Sequence, residues 1–146
     1  MAPLYPVLAP SQAGLLPTAT TTLRYAVRTD GTQRFLFLHH FQDHLALPDL
    51  PQVQVTLHTV RGPLRVPDQG TMTVRTGTAA ILPFNMPFGE VRFRSATVQP
   101  FCAFTQAGRA YQVFVALEGI VPEIVLERRV TVAVQAATHA TRQAIR

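Results

Sequence analysis

The chain has 146 residues, of which 47% are hydrophobic and 14% are charged, and its formal net charge is +5. This balance excludes an intrinsically disordered chain, and the length suits one domain around a single core. No apolar run approaches the roughly 18 residues of a membrane span, and the apolar N-terminal stretch is interrupted by prolines and lacks a basic region. We therefore expect a soluble protein without a clear signal peptide, cytoplasmic by default.

The 13 basic residues are all arginine. An all-arginine set suits bidentate recognition of phosphate or carboxylate groups. Genome composition is the simpler explanation, because arginine, proline, alanine and valine have GC-rich codons and are all abundant in this chain. The arginine bias by itself therefore does not indicate a ligand.

The elements follow one another as short segments separated by turn residues. Residues 1–22 carry four of the 12 prolines and a threonine-rich run, which predicts an arm or linker. From residue 23 onward, alternating or apolar runs predict strands at 23–28, 34–41, 53–58, 64–66, 71–75, 79–84, 90–94, 97–104, 110–117, 123–127 and 130–134. We predict an all-β domain at 23–127, an antiparallel β-sandwich of about ten short strands. Residues 128–146 are interpreted as a C-terminal extension, the start of a truncated further domain.

Three local features refine this arrangement. Asp30-Gly31 favours a hairpin between the first two strands, because a type I′ turn needs positive φ at both central residues. Pro83 and Pro100 fall inside strands, where proline cannot donate to a ladder, so each marks a sheet edge or a bulge. Cys102 is the only cysteine and lies in an apolar stretch, so we expect a small buried hydrophobe and no disulfide.

A histidine-rich segment is the first candidate for chemistry. His39, His40, Asp43 and His44 lie close together in the sequence, and His58 follows on the next strand, so a metal site is one hypothesis. Neighbouring residues of a strand point to opposite faces, however, so at most one of His39 and His40 can converge with Asp43 and His44. We therefore predict no metal-binding residues and no cofactor.

The acidic residues give no pair suited to glycoside hydrolysis, which needs two carboxylates facing one sugar site. Asp30, Asp49 and Asp68 lie in turn sequences, where the aspartate side chain hydrogen-bonds to the local backbone. Glu118 lies beside a glycine in a predicted loop. The acids are Asp30, Asp43, Asp49, Asp68, Glu90, Glu118, Glu123 and Glu127. Ser11 and Ser95 are the only serines and neither lies in a Gly-x-Ser-x-Gly elbow. We predict no catalytic residues in this chain.

Two binding functions remain open. Sugar-binding modules stack aromatic rings on sugars, and without tryptophan the candidates here are Tyr5, Tyr25 and Tyr111. The stretch 92–94 (RFR) places two arginines on one strand face and an aromatic ring on the other, a combination that single-stranded nucleic-acid binding uses and that an ordinary solvated strand face also produces. A stand-alone carbohydrate- or nucleic-acid-binding β module is therefore the alternative interpretation.

Five phrases of the sequence resemble, in order, the second and non-catalytic β domain of bacterial family 35 β-galactosidases. They are 34–47 (RFLFLHHFQDHLAL), 70–74 (GTMTV), 81–86 (ILPFNM), 91–100 (VRFRSATVQP) and 118–123 (EGIVPE). The resemblance covers about residues 23–127. It rests on strand and turn phrases and includes no catalytic signature.

The resemblance implies a part of an enzyme. In that family two glutamates at strand ends of a (β/α)₈ barrel remove terminal β-linked galactose, and the barrel has no counterpart in this chain. The implied function is a β domain that packs beside such a barrel. A domain of this kind should expose an apolar patch when it is alone, and a homo-oligomer that covers the same patch is a further possibility.

Overall fold

The structure is a computed structural model that describes residues 5–7, 9–29, 34–88, 91–127 and 135. The described residues form 12 strands and a single 3₁₀ turn at Pro10–Gln12. The strands are β1 Tyr5–Val7, β2 Arg24–Thr29, β3 Arg34–His40, β4 Leu50–Val53, β5 Val55–Thr59, β6 Gly62–Val66, β7 Met72–Val74, β8 Thr78–Phe88, β9 Val91–Ala96, β10 Gln99–Gln106, β11 Arg109–Val115 and β12 Ile124–Leu126. The prediction of an all-β fold is confirmed.

Some sequence predictions fall outside the described residues. These are the turn at Asp30-Gly31, the residue Glu90, the strand at 130–134 and the tail at 136–146. The division into an arm, a domain and an extension therefore stays a prediction.

The main layer is a six-stranded antiparallel sheet in the order β1-β2-β3-β8-β9-β12. Strand β3 shows why it forms, because Leu36 and Leu38 are buried and alternate with more exposed side chains. These two leucines lie opposite Leu82 and Ala80 of β8, which are also buried. Cross-strand pairs on one face thus give the sheet a continuous apolar surface.

The second layer consists of the two-stranded sheets β5–β6 and β4–β7. Their inward side chains alternate with exposed ones and complete one core with the large sheet, as expected for an antiparallel sandwich. The core residues of this layer are Leu50, Val55, Leu57, Leu64, Val66, Met72 and Val74. Burying each aliphatic side chain of this size contributes roughly 1.5–3 kcal/mol relative to exposure.

The N-terminal segment supplies β1, an edge strand of the large sheet, next to β2. Strand β1 pairs with β2 in antiparallel register, from Tyr5 opposite Thr29 to Val7 opposite Val27. The Gln12 side chain then bridges the backbone of β2, since its Nε2 donates to Leu23 O (3.2 Å) and its Oε1 accepts from Tyr25 N (2.9 Å). Part of the predicted arm is therefore hydrogen-bonded to the sheet.

The two strand prolines occupy different environments. Pro100 lies on β10 beside a register shift between Pro100 and Cys102, as predicted. Pro83 lies on β8, between β3 and β9 in the large sheet, and neither pairing shifts register at Pro83, so the expectation of a sheet edge or a bulge is wrong there. It is tolerated there because β8 pairs with β3 at Pro83, whereas its pairing with β9 begins one residue later, at Phe84. One side of the strand therefore lacks ladder pairing at the proline.

A hydrogen-bonded corner ties the C-terminal end of the described chain to the second layer. Thr97 Oγ1 donates to Val121 O and accepts from Glu123 N, both at 2.7 Å. The Glu123 carboxylate accepts from the backbone N–H groups of Asp68 (2.7 Å) and Gln69 (3.2 Å) in the turn after β6.

No helix in the described part of the chain is long and apolar enough to cross a membrane.

Candidate functional site

The histidine-rich segment does not converge. His40 is buried at 2% exposure and its Nε2 lies 2.7 Å from Pro48 O, whereas His39 points to the exposed face. His44 and Asp43 form an ion pair at 3.3 Å with both side chains almost fully exposed. Within the ranges given above, no group of three His, Cys, Asp or Glu side chains is placed to hold a metal ion. His40 has a structural hydrogen bond, and the predicted opposition of His39 and His40 is confirmed.

Four acidic side chains in the described ranges have partners that explain their positions. Glu118 lies in a turn, as predicted, and forms an ion pair with Arg75. Asp49 Oδ1 accepts from the backbone N–H of Thr76 at 3.0 Å, so it holds a distant turn and not its own. Glu123 caps the turn at 68–69, and Glu127 bonds two arginines, as described below. These contacts position backbone turns and neighbouring strands.

The arginines of 92–94 are in different environments. Phe93 is buried and Arg94 is exposed, as strand alternation predicts. Arg92 is 28% exposed, its Nη1 donates to Asn85 O (2.8 Å), and its Nε lies 3.3 Å from Glu127 Oε2. Arg92 is therefore bound to neighbouring groups of the sheet. Of the two arginines, Arg94 is the one exposed to solvent.

Several exposed apolar side chains are brought together on the two-stranded hairpin β10–β11. Cys102 and Phe104 lie opposite Val113 and Tyr111 respectively, so these four side chains share one face of the hairpin. We call them the hairpin face. Phe104 and Tyr111 are 46% and 39% exposed and stack with ring centroids 4.9 Å apart. Phe101, beside the register shift, is 73% exposed.

The hairpin is fixed at its base and open at its tip. At the base, Phe114 packs edge-to-face on the buried Phe93 with centroids 5.5 Å apart, and Gln99 Oε1 accepts from Ile81 N at 3.0 Å. At the tip, Ala107 and Gly108 both have positive φ, 49° and 72°. This is the backbone of a type I′ turn, which matches the twist of a tight hairpin. Residues 101–111 are all exposed.

The hairpin corrects the expectation for Cys102, which is exposed and not buried. The apolar stretch around it is typical of a core strand, but among the described strands β10 pairs only with β11, in a sheet separate from the two layers of the sandwich. Arg109 is the only charged residue from Gln99 to Val115. The hairpin therefore presents an apolar, nearly uncharged surface to solvent.

Tyr25 and Tyr111, two of the tyrosines proposed for sugar stacking, lie in different parts of the structure. Tyr25 is half-buried and its hydroxyl lies 3.3 Å from Ser11 Oγ, whereas Tyr111 belongs to the hairpin face. The side chain of Tyr5 lies outside the described residues. A different polar cavity, of about 160 Å³, lies between the β5–β6 hairpin and the β8, β9 and β12 strands, and includes Arg61, Asn85, Arg94 and Glu127. Sequence patterns missed it because its residues come from distant segments.

Comparisons with known proteins return no match among family models, curated proteins or solved structures. The resemblance to the family 35 β domain is therefore a prediction that rests on the sequence phrases given above.

Proposed function

We propose that this chain is a non-catalytic β domain of a β-galactosidase-like glycoside hydrolase, and that it packs beside a catalytic (β/α)₈ barrel. The observation that carries the proposal is the exposed apolar hairpin face. A domain built to pack against a neighbour needs such a face, and the five ordered sequence phrases indicate which neighbour.

The size of this surface supports a docking role. With about 200 Å² for each fully exposed aromatic side chain, the exposed fractions of Phe104 and Tyr111 on the hairpin face amount to roughly 170 Å², and Phe101, next to Cys102 at the register shift, brings the exposed aromatic area of the hairpin to roughly 300 Å². This is comparable with the largest apolar patch of a typical monomer, which is often functional. Interfaces between domains of one chain bury about 600–1,500 Å², so the hairpin supplies the centre of such an interface and polar surroundings would supply its rim.

The acidic residues support the non-catalytic part of the proposal. The carboxylates of Asp49 and Glu123 accept hydrogen bonds from backbone N–H groups, and those of Glu118 and Glu127 pair with arginines. A retaining glycosidase needs one carboxyl group as nucleophile and a second as acid, about 5–5.5 Å apart and open to the substrate. Side chains engaged in these structural contacts are poorly suited to either task.

A binding measurement with a barrel domain tests the proposal. The genomic sequence that flanks this chain is first read for a reading frame that encodes a (β/α)₈ barrel, and a barrel found there is produced separately as the partner. We expect a complex that is lost in the double variant Phe104→Ser/Tyr111→Ser and retained in Thr105→Ser, a matched control because Thr105 lies on the opposite face of the same strand. Equal binding by the wild-type chain and the double variant would contradict docking through the hairpin, and unrelated neighbouring genes would contradict the choice of partner.

Two further outcomes separate the alternatives. Hydrolysis of a chromogenic β-galactoside by the purified chain, abolished by changing one of its glutamates, would overturn the non-catalytic assignment. Sedimentation of the chain alone tests whether a second copy covers the hairpin face. If the wild-type chain is a dimer and the double variant is a monomer, the partner of the hairpin face is a second copy of the chain and not a barrel.

A further inference from the structure

A second candidate site, separate from the β10–β11 hairpin, is a cavity between the β5–β6 turn and strands β8, β9 and β12 of the large sheet. The cavity of about 160 Å³ is bounded on one side by Thr59 to Leu64 at the β5–β6 turn and on the other by Asn85, Arg94 and residues 125–127. It is far larger than a single water molecule requires and accommodates one sugar ring.

Asn85 is the unusual residue of this cavity. It is only 7% exposed and lies inside β8 with a φ of 50°, in the left-handed region that side chains other than glycine and asparagine rarely adopt. Its backbone carbonyl accepts from Arg92 Nη1 at 2.8 Å. The Asn85 side chain lines the cavity, and its amide is not among the fully buried atoms that lack a partner in the described part of the chain, so it is open to solvent there. An amide in this position can both donate and accept a hydrogen bond.

A carboxylate held by two arginines lies on the same side of the cavity as Asn85. Glu127 Oε1 accepts from Arg61 Nη1 at 2.6 Å, and Glu127 Oε2 lies 3.3 Å from Arg92 Nε. Arg61 and Arg92 come from the second layer and the large sheet respectively, so this pairing holds the two layers at a set separation. Charge-assisted hydrogen bonds of this kind pre-organise the groups around the cavity.

The charges of the cavity indicate the class of ligand. The chain as a whole carries a net +5, but within the described lining Arg61 and Arg94 are balanced by Asp68 and Glu127. A balanced set favours a neutral ligand over an anion or a cation, because either ion would meet a like charge. The guanidinium groups donate, the carboxylates accept, and an amide does both, which matches hydroxyl groups that each donate and accept. Pro63, Leu64 and the β12 side chains add apolar surface for the ring carbons.

We propose that this cavity binds a neutral polyol, a single monosaccharide ring, with Asn85, Arg94 and Glu127 as the hydrogen-bonding groups. The affinity is roughly millimolar, because a ligand of this size gains few contacts and no aromatic ring lines the cavity.

Titration of the ¹⁵N-labelled chain with galactose and glucose, followed by amide chemical shifts, tests the proposal. We expect saturable shifts confined to residues 59–64, 85, 94 and 125–127. The variant Asn85→Gly keeps the left-handed backbone and removes the amide, so it should bind about tenfold more weakly while the fold is retained. Ala107→Gly is the matched control, because Ala107 also has a positive φ but lies at the hairpin tip, and it should bind as the wild type does.

Three results would overturn the proposal. They are wild-type affinity in Asn85→Gly, shifts that map outside the cavity, and the absence of saturable shifts at sugar concentrations of about 100 mM, well above the millimolar range. Tighter binding of sulfate than of either sugar at the same residues would also contradict it, because it would identify an anion site.

Discussion

Replacing Phe104 by alanine should destabilise the chain much less than replacing Phe84 by alanine, although both phenylalanines lie in apolar strand sequences. Phe84 is 2% exposed in the core between the layers, and a buried Phe→Ala change costs about 3–5 kcal/mol. Phe104 is 46% exposed and its main contact is the stacked Tyr111. Half of a full burial term and one aromatic pair amount to about 1.3–3 kcal/mol.

Urea unfolding at equilibrium measures both values, provided that the dependence of the unfolding free energy on urea stays unchanged in the variants. The observed loss for Phe104→Ala should be at the lower end of its range, because a peripheral hairpin can open without unfolding the sandwich. Equal losses for the two variants would refute this reasoning, since they would place Phe104 in a core in solution.

Three further variants test the contacts that position the sites. Glu123→Ala should lower the free energy of unfolding by about 1–3 kcal/mol in urea titration, because the N–H groups at 68–69 lose their acceptor, and a change below 0.5 kcal/mol would contradict the role of this cap. His40→Phe should cost about 1–3 kcal/mol by leaving the Pro48 carbonyl unpaired, and an unchanged melting temperature would argue against that bond. Gly119→Ala should cost about 1–2 kcal/mol because φ is 80°, and neutrality in calorimetry would show that the loop relaxes.

The sequence predicts the sandwich well where alternation reports burial. Val55 and Leu57 of β5 are buried and alternate with exposed side chains, as the alternation at 53–58 predicts. This strand faces the core on one side and solvent on the other, so a period of two in hydrophobicity carries the information.

The hairpin shows where this inference fails. Apolar residues near Cys102 indicate a strand, and the strand exists, but hydropathy alone does not tell a core strand from an exposed one. Few charged residues, as between Gln99 and Val115, are expected both for a core strand and for a strand that exposes an apolar face. The strand pairing distinguishes the two, since β11 is the one partner of β10 among the strands that the structure describes.

The cavity could not be predicted for a different reason. Arg61, Asn85 and Glu127 belong to three distant segments, and their proximity depends on how the second layer crosses the large sheet. No local spacing reports such a contact. The left-handed φ of Asn85 is equally hidden, because asparagine inside an apolar strand phrase is compatible with ordinary extended backbone as well.

The rate at which Cys102 reacts with a thiol reagent, measured with and without the (β/α)₈ barrel domain, tests the docking role most directly. Cys102 is exposed and lies on the hairpin face opposite Val113, so its labelling reports on this surface without any substitution. We predict complete labelling of the native free chain and strong protection when the barrel is added. Equal labelling rates in the presence and absence of a barrel that binds the chain would contradict docking through the hairpin.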